Sequence, residues 1–184
     1  MRDAITIVIL MVVIFACIVL QELWPPVQLF LGARVLLVPL VFCYGALTLP
    51  YPAMALLALF TGFLTDLSLL QVLGDSVEIS VGWSILVYVA IGSICQGFRP
   101  LVQRGHWWIH AGMSAVSTSV LLALQFFTIT LRRFEEGGIV YDEVVLWRIL
   151  GPGIIALIVA PLFYFAAGFA SGRVELPDRA VRGF

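Results

Sequence analysis

The chain of 184 residues contains no lysine; its ten basic residues are all arginine. Charge of either sign is scarce, 11% of residues against 62% hydrophobic, whereas a soluble domain carries about a quarter charged. So little charge cannot clothe a water-exposed surface, and the mean hydropathy is +1.10. Disorder is excluded by the opposite reasoning, because apolar surface to bury is plentiful. The formal net charge is −1, and no basic block could follow a phosphate backbone, so nucleic acid is not an expected partner. Cysteine is also sparse. Cys17, Cys43 and Cys95 lie inside apolar stretches, without the CxxC or Cys/His spacing of a redox pair or metal site. They read as small buried hydrophobes.

What the chain has is long apolar runs. Crossing a hydrocarbon core of about 30 Å takes about 20 helical residues. Runs over residues 4–20, 35–49, 53–70, 77–95, 109–131 and 149–170 predict an all-α six-helix transmembrane bundle, a single domain over 1–184. The runs are continuous, whereas strands of a membrane barrel would alternate apolar and polar residues. The first run exceeds a signal-peptide core, and the residues after it lack an Ala-x-Ala site, so it reads as a retained anchor. Residues 26–33 are too few to span and too apolar for water, which predicts an interfacial segment. Pro39 and Pro161 fall within runs and predict kinks. Trp24, Trp107, Trp108 and Trp147 stand at run ends, where an amphipathic ring prefers the headgroup region.

Arginine placement predicts an orientation. With the N-terminus inside, Arg2, Arg99, Arg104, Arg173, Arg179 and Arg182 are inside, six against the four outside, Arg34, Arg132, Arg133 and Arg148. That bias predicts both termini in the cytoplasm. The acids Glu135, Glu136, Asp142 and Glu143 give the last outer loop an acidic surface.

Asp66 is the one acid well inside an apolar run; Glu78 only shortens the purely apolar part of the fourth at its start. A carboxylate there costs about 2.5–3.5 kcal/mol on insertion scales, so it faces protein or water. Gly62 lies one turn before it on the same helix face, with Thr61, Thr65 and Ser68 beside them, a face that lets another helix approach and hydrogen-bond. Three readings compete: a proton or ion relay, a ligand contact, or a charge pair between helices. The third is favoured, with Arg34 the expected partner and Arg148 the second choice, because the Pro50-Tyr51-Pro52 turn makes the second and third helices antiparallel neighbours. His106 and His110 have metal-ligand spacing on a helix, but no acid or cysteine completes a site, and Trp107-Trp108 makes them an interfacial pair. Ser114, Ser117, Thr118 and Ser119 have no accompanying base and read as interhelical hydrogen bonders. No nucleophile–base pair and no cofactor motif is found, so no enzyme and no cofactor is expected.

An order of features carries a resemblance. The first run is followed by Trp24-Pro25-Pro26, then Arg34 at the mouth of the second and Leu49-Pro50 at its end. The third carries Gly62-Phe63-Leu64-Thr65-Asp66-Leu67, followed by Leu73-Gly74. Leu86-Val87-Tyr88 leads into Phe98-Arg99. Over roughly its first hundred residues the chain resembles the MreD family of rod-shape-determining membrane proteins. It departs from the family where Asp75-Ser76-Val77-Glu78 follows the Leu-Gly.

The resemblance implies a non-catalytic subunit of the cell-elongation machinery in a bacterial inner membrane. Its implied partners are an MreC-like bitopic protein and, through it, the MreB filament and peptidoglycan synthases. It also implies a fold similar to the substrate-binding S-components of energy-coupling-factor transporters. The rival function is therefore a vitamin-binding transporter subunit, with Asp66, Trp83 and Tyr88 lining a cavity. The candidate helix-packing or partner-binding residues are Gly62, Asp66, Arg34, Thr65, Leu67, Gly74 and Arg99.

Overall fold

In hydrocarbon every backbone N–H and C=O must be answered within the protein, so each long apolar run closes into a helix. In a computed structural model, which describes residues 2–23, 35–68, 72–73, 76–77, 82–103, 106–137 and 143–170, the described chain forms six helices. They are α1 (Arg2–Leu23), α2 (Val38–Thr48), α3 (Tyr51–Ser68), α4 (Trp83–Gln103), α5 (Trp107–Gly137) and α6 (Glu143–Ala170). A two-residue hairpin, β1 (Val72–Leu73) with β2 (Ser76–Val77), joins α3 to α4, pairing Val72 with Val77 and Leu73 with Ser76.

Five of these helices are long and apolar enough to cross a membrane; α2, with eleven residues, is not. At 1.5 Å per residue α2 is about 16 Å long, half of a hydrocarbon core. The expected second span over 35–49 is therefore a short helix flanked by non-helical residues 35–37 and 49–50. Its position explains its composition. Val38 through Leu47 are all buried, and α2 touches each of the other five helices. A helix that is apolar on every side is suited to the centre of a bundle or to lipid, and the contacts of α2 put it at the centre.

A short buried helix has a problem at each end, because its terminal N–H and C=O groups have no partner along the chain. Neighbouring helices supply them. At the start, the Leu37 and Val38 N–H groups donate to Gln21 Oε1 of α1 at 2.7 and 3.0 Å. Pro39 occupies the first turn, where its missing N–H would have had no partner anyway. It starts α2 rather than kinking it. At the end, Gln96 Nε2 of α4 donates to the carbonyls of Ala46 and Leu49 at 2.8 and 2.9 Å. Arg99 Nη2 donates to Thr48 O at 3.2 Å, which also places a cation at a helix C-terminus.

The chain turns at once into α3, with Pro50 O accepting from Met54 N at 3.0 Å. The fourth helix lies further along than its expected 77–95. Val77 is in the hairpin and Gly82 takes a positive φ of 106° before the helix begins. Helices α5 and α6 run beyond their apolar cores, so Glu135 and Glu136 stand on the last turn of α5 instead of in a loop. Pro161 lies inside α6, and Pro100, which the expected 77–95 span left out, inside α4. The interfacial segment expected at 26–33, with Trp24, lies outside the described residues.

Inside lipid the hydrophobic effect does not press helices together; packing and hydrogen bonds do. The outward faces are accordingly apolar: on α1, Ile5, Val8, Ile9, Val12, Phe15 and Val19 are exposed while Leu10 and Ile14 point inward. Trp83, Trp107, Trp108 and Trp147 are exposed near helix starts. The caps on α2 therefore carry much of the cohesion. An unanswered buried backbone group costs about 1–3 kcal/mol. We expect Gln96→Leu, which strips two carbonyls of their donor, to lower the thermal midpoint in detergent by several degrees. Ser93→Ala, on an exposed serine that bonds only its own helix at Val89 O, should leave it unchanged. Equal midpoints for the two variants would refute the capping role.

Candidate helix-packing and partner-binding site

Asp66 and Gly62 bring α3 against the start of α4. Both are buried, Asp66 with no exposed surface. The Gly82 N–H donates to Asp66 Oδ2 at 2.6 Å and the Ser84 N–H to Oδ1 at 3.2 Å. The carboxylate thus answers two N–H groups at the beginning of α4, where the helix dipole favours negative charge. A capping side chain usually comes from the residue just before the helix; here it comes from sixteen residues earlier, across the hairpin. Gly62 makes the approach possible. A Cβ there would meet Ile85 Cα at 2.5 Å and Ile85 N at 2.6 Å, closer than any side chain tolerates.

The polar stripe beside them is satisfied within its own helix. Thr61, Thr65 and Ser68 donate to the carbonyls of Leu57, Thr61 and Thr65 at 2.7, 2.8 and 2.9 Å. The stripe donates its hydrogens locally, the usual habit of hydroxyls within helices, while the Thr65 hydroxyl also meets the Tyr88 side chain of α4, as expected of a face that bonds its neighbour. Leu67 lies on the outward face, 44% exposed, in line with Leu56, Leu59 and Phe63. Arg99 stands not in a turn but in α4, half-buried against the end of α2, its Nε buried without a partner. Arg34 and Gly74 lie outside the described residues, as does the side chain of Arg148, so the expected charge partners of Asp66 do too.

Two further places have chemistry. The Cys43 thiol donates to Ser117 Oγ at 3.3 Å, and the Cys95 thiol lies 4.0 Å from it. Ser117 is thereby the interhelical acceptor expected on α5, while Thr118 donates to Ser114 O of its own helix. The two histidines separate. His106 is exposed, with Nδ1 3.1 Å from Leu101 O and its ring against Trp108, as an interfacial residue would be. His110 is fully buried against Tyr44 and Tyr164. The spacing of four that suggested one interfacial pair places the second histidine a turn deeper. The main chain of Leu40 and Ala160 is near its ring, but neither makes a hydrogen bond of acceptable geometry. Among the described residues no three His, Cys, Asp or Glu side chains gather as a metal site.

Sequence reasoning missed Gln21 and Gln96. The signal was present, since an amide near the end of an apolar run must find a partner, but which backbone it meets depends on tertiary contact.

The architecture is that of a multi-span helical membrane protein. The chain matches no protein-family model, no curated protein and no solved structure.

The geometry predicts graded losses. Asp66→Asn keeps one acceptor and should cost about 0.5–2 kcal/mol, the range of a lost cap. Asp66→Leu leaves both N–H groups unanswered and should cost more. Gly62→Leu, driven into the α4 backbone, should prevent accumulation of folded protein. Membrane levels and thermal midpoints measured in parallel check the order, and indifference to Gly62→Leu would contradict the close approach.

Proposed function

We propose that this chain is a non-catalytic scaffold of the bacterial cell-elongation complex, an MreD-like subunit that binds an MreC-like bitopic protein in the inner membrane. Through that partner it couples peptidoglycan synthesis to the MreB filament, with both of its own termini in the cytoplasm. The observation that carries the reading is how the buried polar groups are used. Both oxygens of Asp66 accept backbone N–H groups of α4, and α2 fills the middle of the bundle with buried side chains. An S-component-like vitamin site would need these groups and that space for its ligand.

The partner's single span fits best on α3. Leu56, Leu59, Phe63 and Leu67 form an exposed ridge at helical spacing, backed by the Asp66 cap that holds α3 to α4. The order of motifs from Trp24 to Leu101 supports the family.

Depletion tests the role: cells should lose rod shape and round up, and a photo-crosslinking residue at position 63 or 67 should capture the MreC-like protein. Rod-shaped cells that instead require an added vitamin would overturn the scaffold in favour of the transporter subunit. A reporter fused after Phe184 that was active only outside the cytoplasm would reverse the orientation.

A further inference from the structure

Packing brings together two cysteines that lie 52 residues apart in the chain. Cys43 in the middle of α2 and Cys95 on α4 are both fully buried free thiols, and the Cys95 thiol is directed at Cys43 Sγ across 4.0 Å. Cys43 also meets two buried hydroxyls of α5. It donates to Ser117 Oγ at 3.3 Å, and the Ser114 hydroxyl is set against it as well. One buried cysteine is a small hydrophobe. Two thiols in contact from different helices are in addition a pair of metal ligands.

The pair has a preference by class. Thiolate sulfur selects soft cations. Zinc takes four ligands in a tetrahedron, and among the described residues no third cysteine, histidine or carboxylate joins these two. Copper(I), a soft monovalent ion, is held by few sulfurs. Metal–thiolate bonds are about 2.3 Å long for zinc, and two of that length bridge 4.0 Å at an angle of about 120°. The ion takes the place of the hydrogen that Cys95 now directs at Cys43, so it needs no cavity of its own.

Charge points the same way. An uncompensated ion is costly in an apolar interior, but exchanging one monovalent cation for one thiol proton leaves the net charge unchanged. The Cys43 S–H bond breaks, a metal–sulfur bond replaces it, the Cys95 sulfur contributes a lone pair, and the proton leaves to solvent. No electron is transferred. Cys43 is the member that ionises. The hydroxyls of Ser117 and Ser114 can turn to donate to its sulfur, and hydrogen bonds to a charged form favour it.

We propose that Cys43 and Cys95 form an internal site, between α2 and α4, for a soft monovalent metal ion of the copper(I) class. The site is separate from the Asp66 cap and does not depend on the scaffold role.

The probe is copper(I), kept reduced with ascorbate and offered to the full-length protein in lipid nanodiscs against a competing copper(I) chelator. Native mass spectrometry should show a gain of one copper less one proton in the wild type. Cys17→Ala, on the half-buried cysteine of α1, should retain the ion, and Cys43→Ala and Cys95→Ala should each lose it. If those two variants fail to accumulate, copper K-edge absorption of the wild type settles the matter. A shell of sulfur ligands alone supports the site, and nitrogen or oxygen ligands overturn it. The site is also overturned if the wild type retains no copper, if Cys43→Ala and Cys95→Ala retain it equally, or if zinc is held as well as copper. A loss of two hydrogens from the wild type without metal uptake would identify a disulfide instead, and would overturn it too.

Discussion

A helix of eleven residues can sit at the centre of a membrane bundle only if the backbone groups at its two ends are answered by other helices. That constraint organises this protein. Gln21 of α1 meets the first N–H groups of α2, and Gln96 and Arg99 of α4 meet its last carbonyls. Five groups left unpaired at about 1–3 kcal/mol each would be comparable to the whole stability of an ordinary domain, about 5–15 kcal/mol. The caps therefore hold α1 and α4 in register with α2, and the remaining helices pack around that frame.

The same solution recurs at the start of α4. Asp66 reaches across from α3 to answer two N–H groups, and the bare backbone of Gly62 lets the helices come close enough for it to do so. An intramembrane carboxylate is often an ion relay; this one has both oxygens engaged in holding two helices. The reading as a scaffold draws on that engagement. Along its middle α3 turns an apolar ridge outward, through Leu56, Leu59, Phe63 and Leu67, and the proposed partner contact lies there. Elsewhere in the interior small residues do similar work. Gly92 leaves room for Met54 and Phe42, and Gly153 for Ser119, so α4 and α6 close on their neighbours without displacing side chains.

Much of this was legible beforehand, and unevenly. Six apolar runs announce six helices, and Trp107, Trp108 and Trp147 mark their ends, because both signals are local and summed over many residues. Gly62 and Asp66 stood out for the same reason: a charge and a missing side chain are conspicuous in an apolar run. Their purpose was less legible. Asp66 was expected to pair with an arginine, yet its described partners are main-chain N–H groups, which every residue possesses and no sequence pattern marks. The hydroxyls of Thr61 and Thr65 looked like bridges between helices; both donate to an i−4 carbonyl, which is always within reach, and only Thr65 also meets a neighbouring helix, at Tyr88. The two histidines looked alike at a spacing of four, although one turn of helix carries His110 from the boundary to between two tyrosines.

By itself the sequence determined that this is a helical membrane protein, because hydropathy and chain length leave no other way to satisfy the backbone. Tertiary structure alone decided that α2 would be short and central, that Gln21, Gln96 and Arg99 would close its ends, and that Asp66 would begin α4. Each of those outcomes is a meeting of a side chain with a backbone group distant along the chain, and such a meeting exists only once the helices have packed.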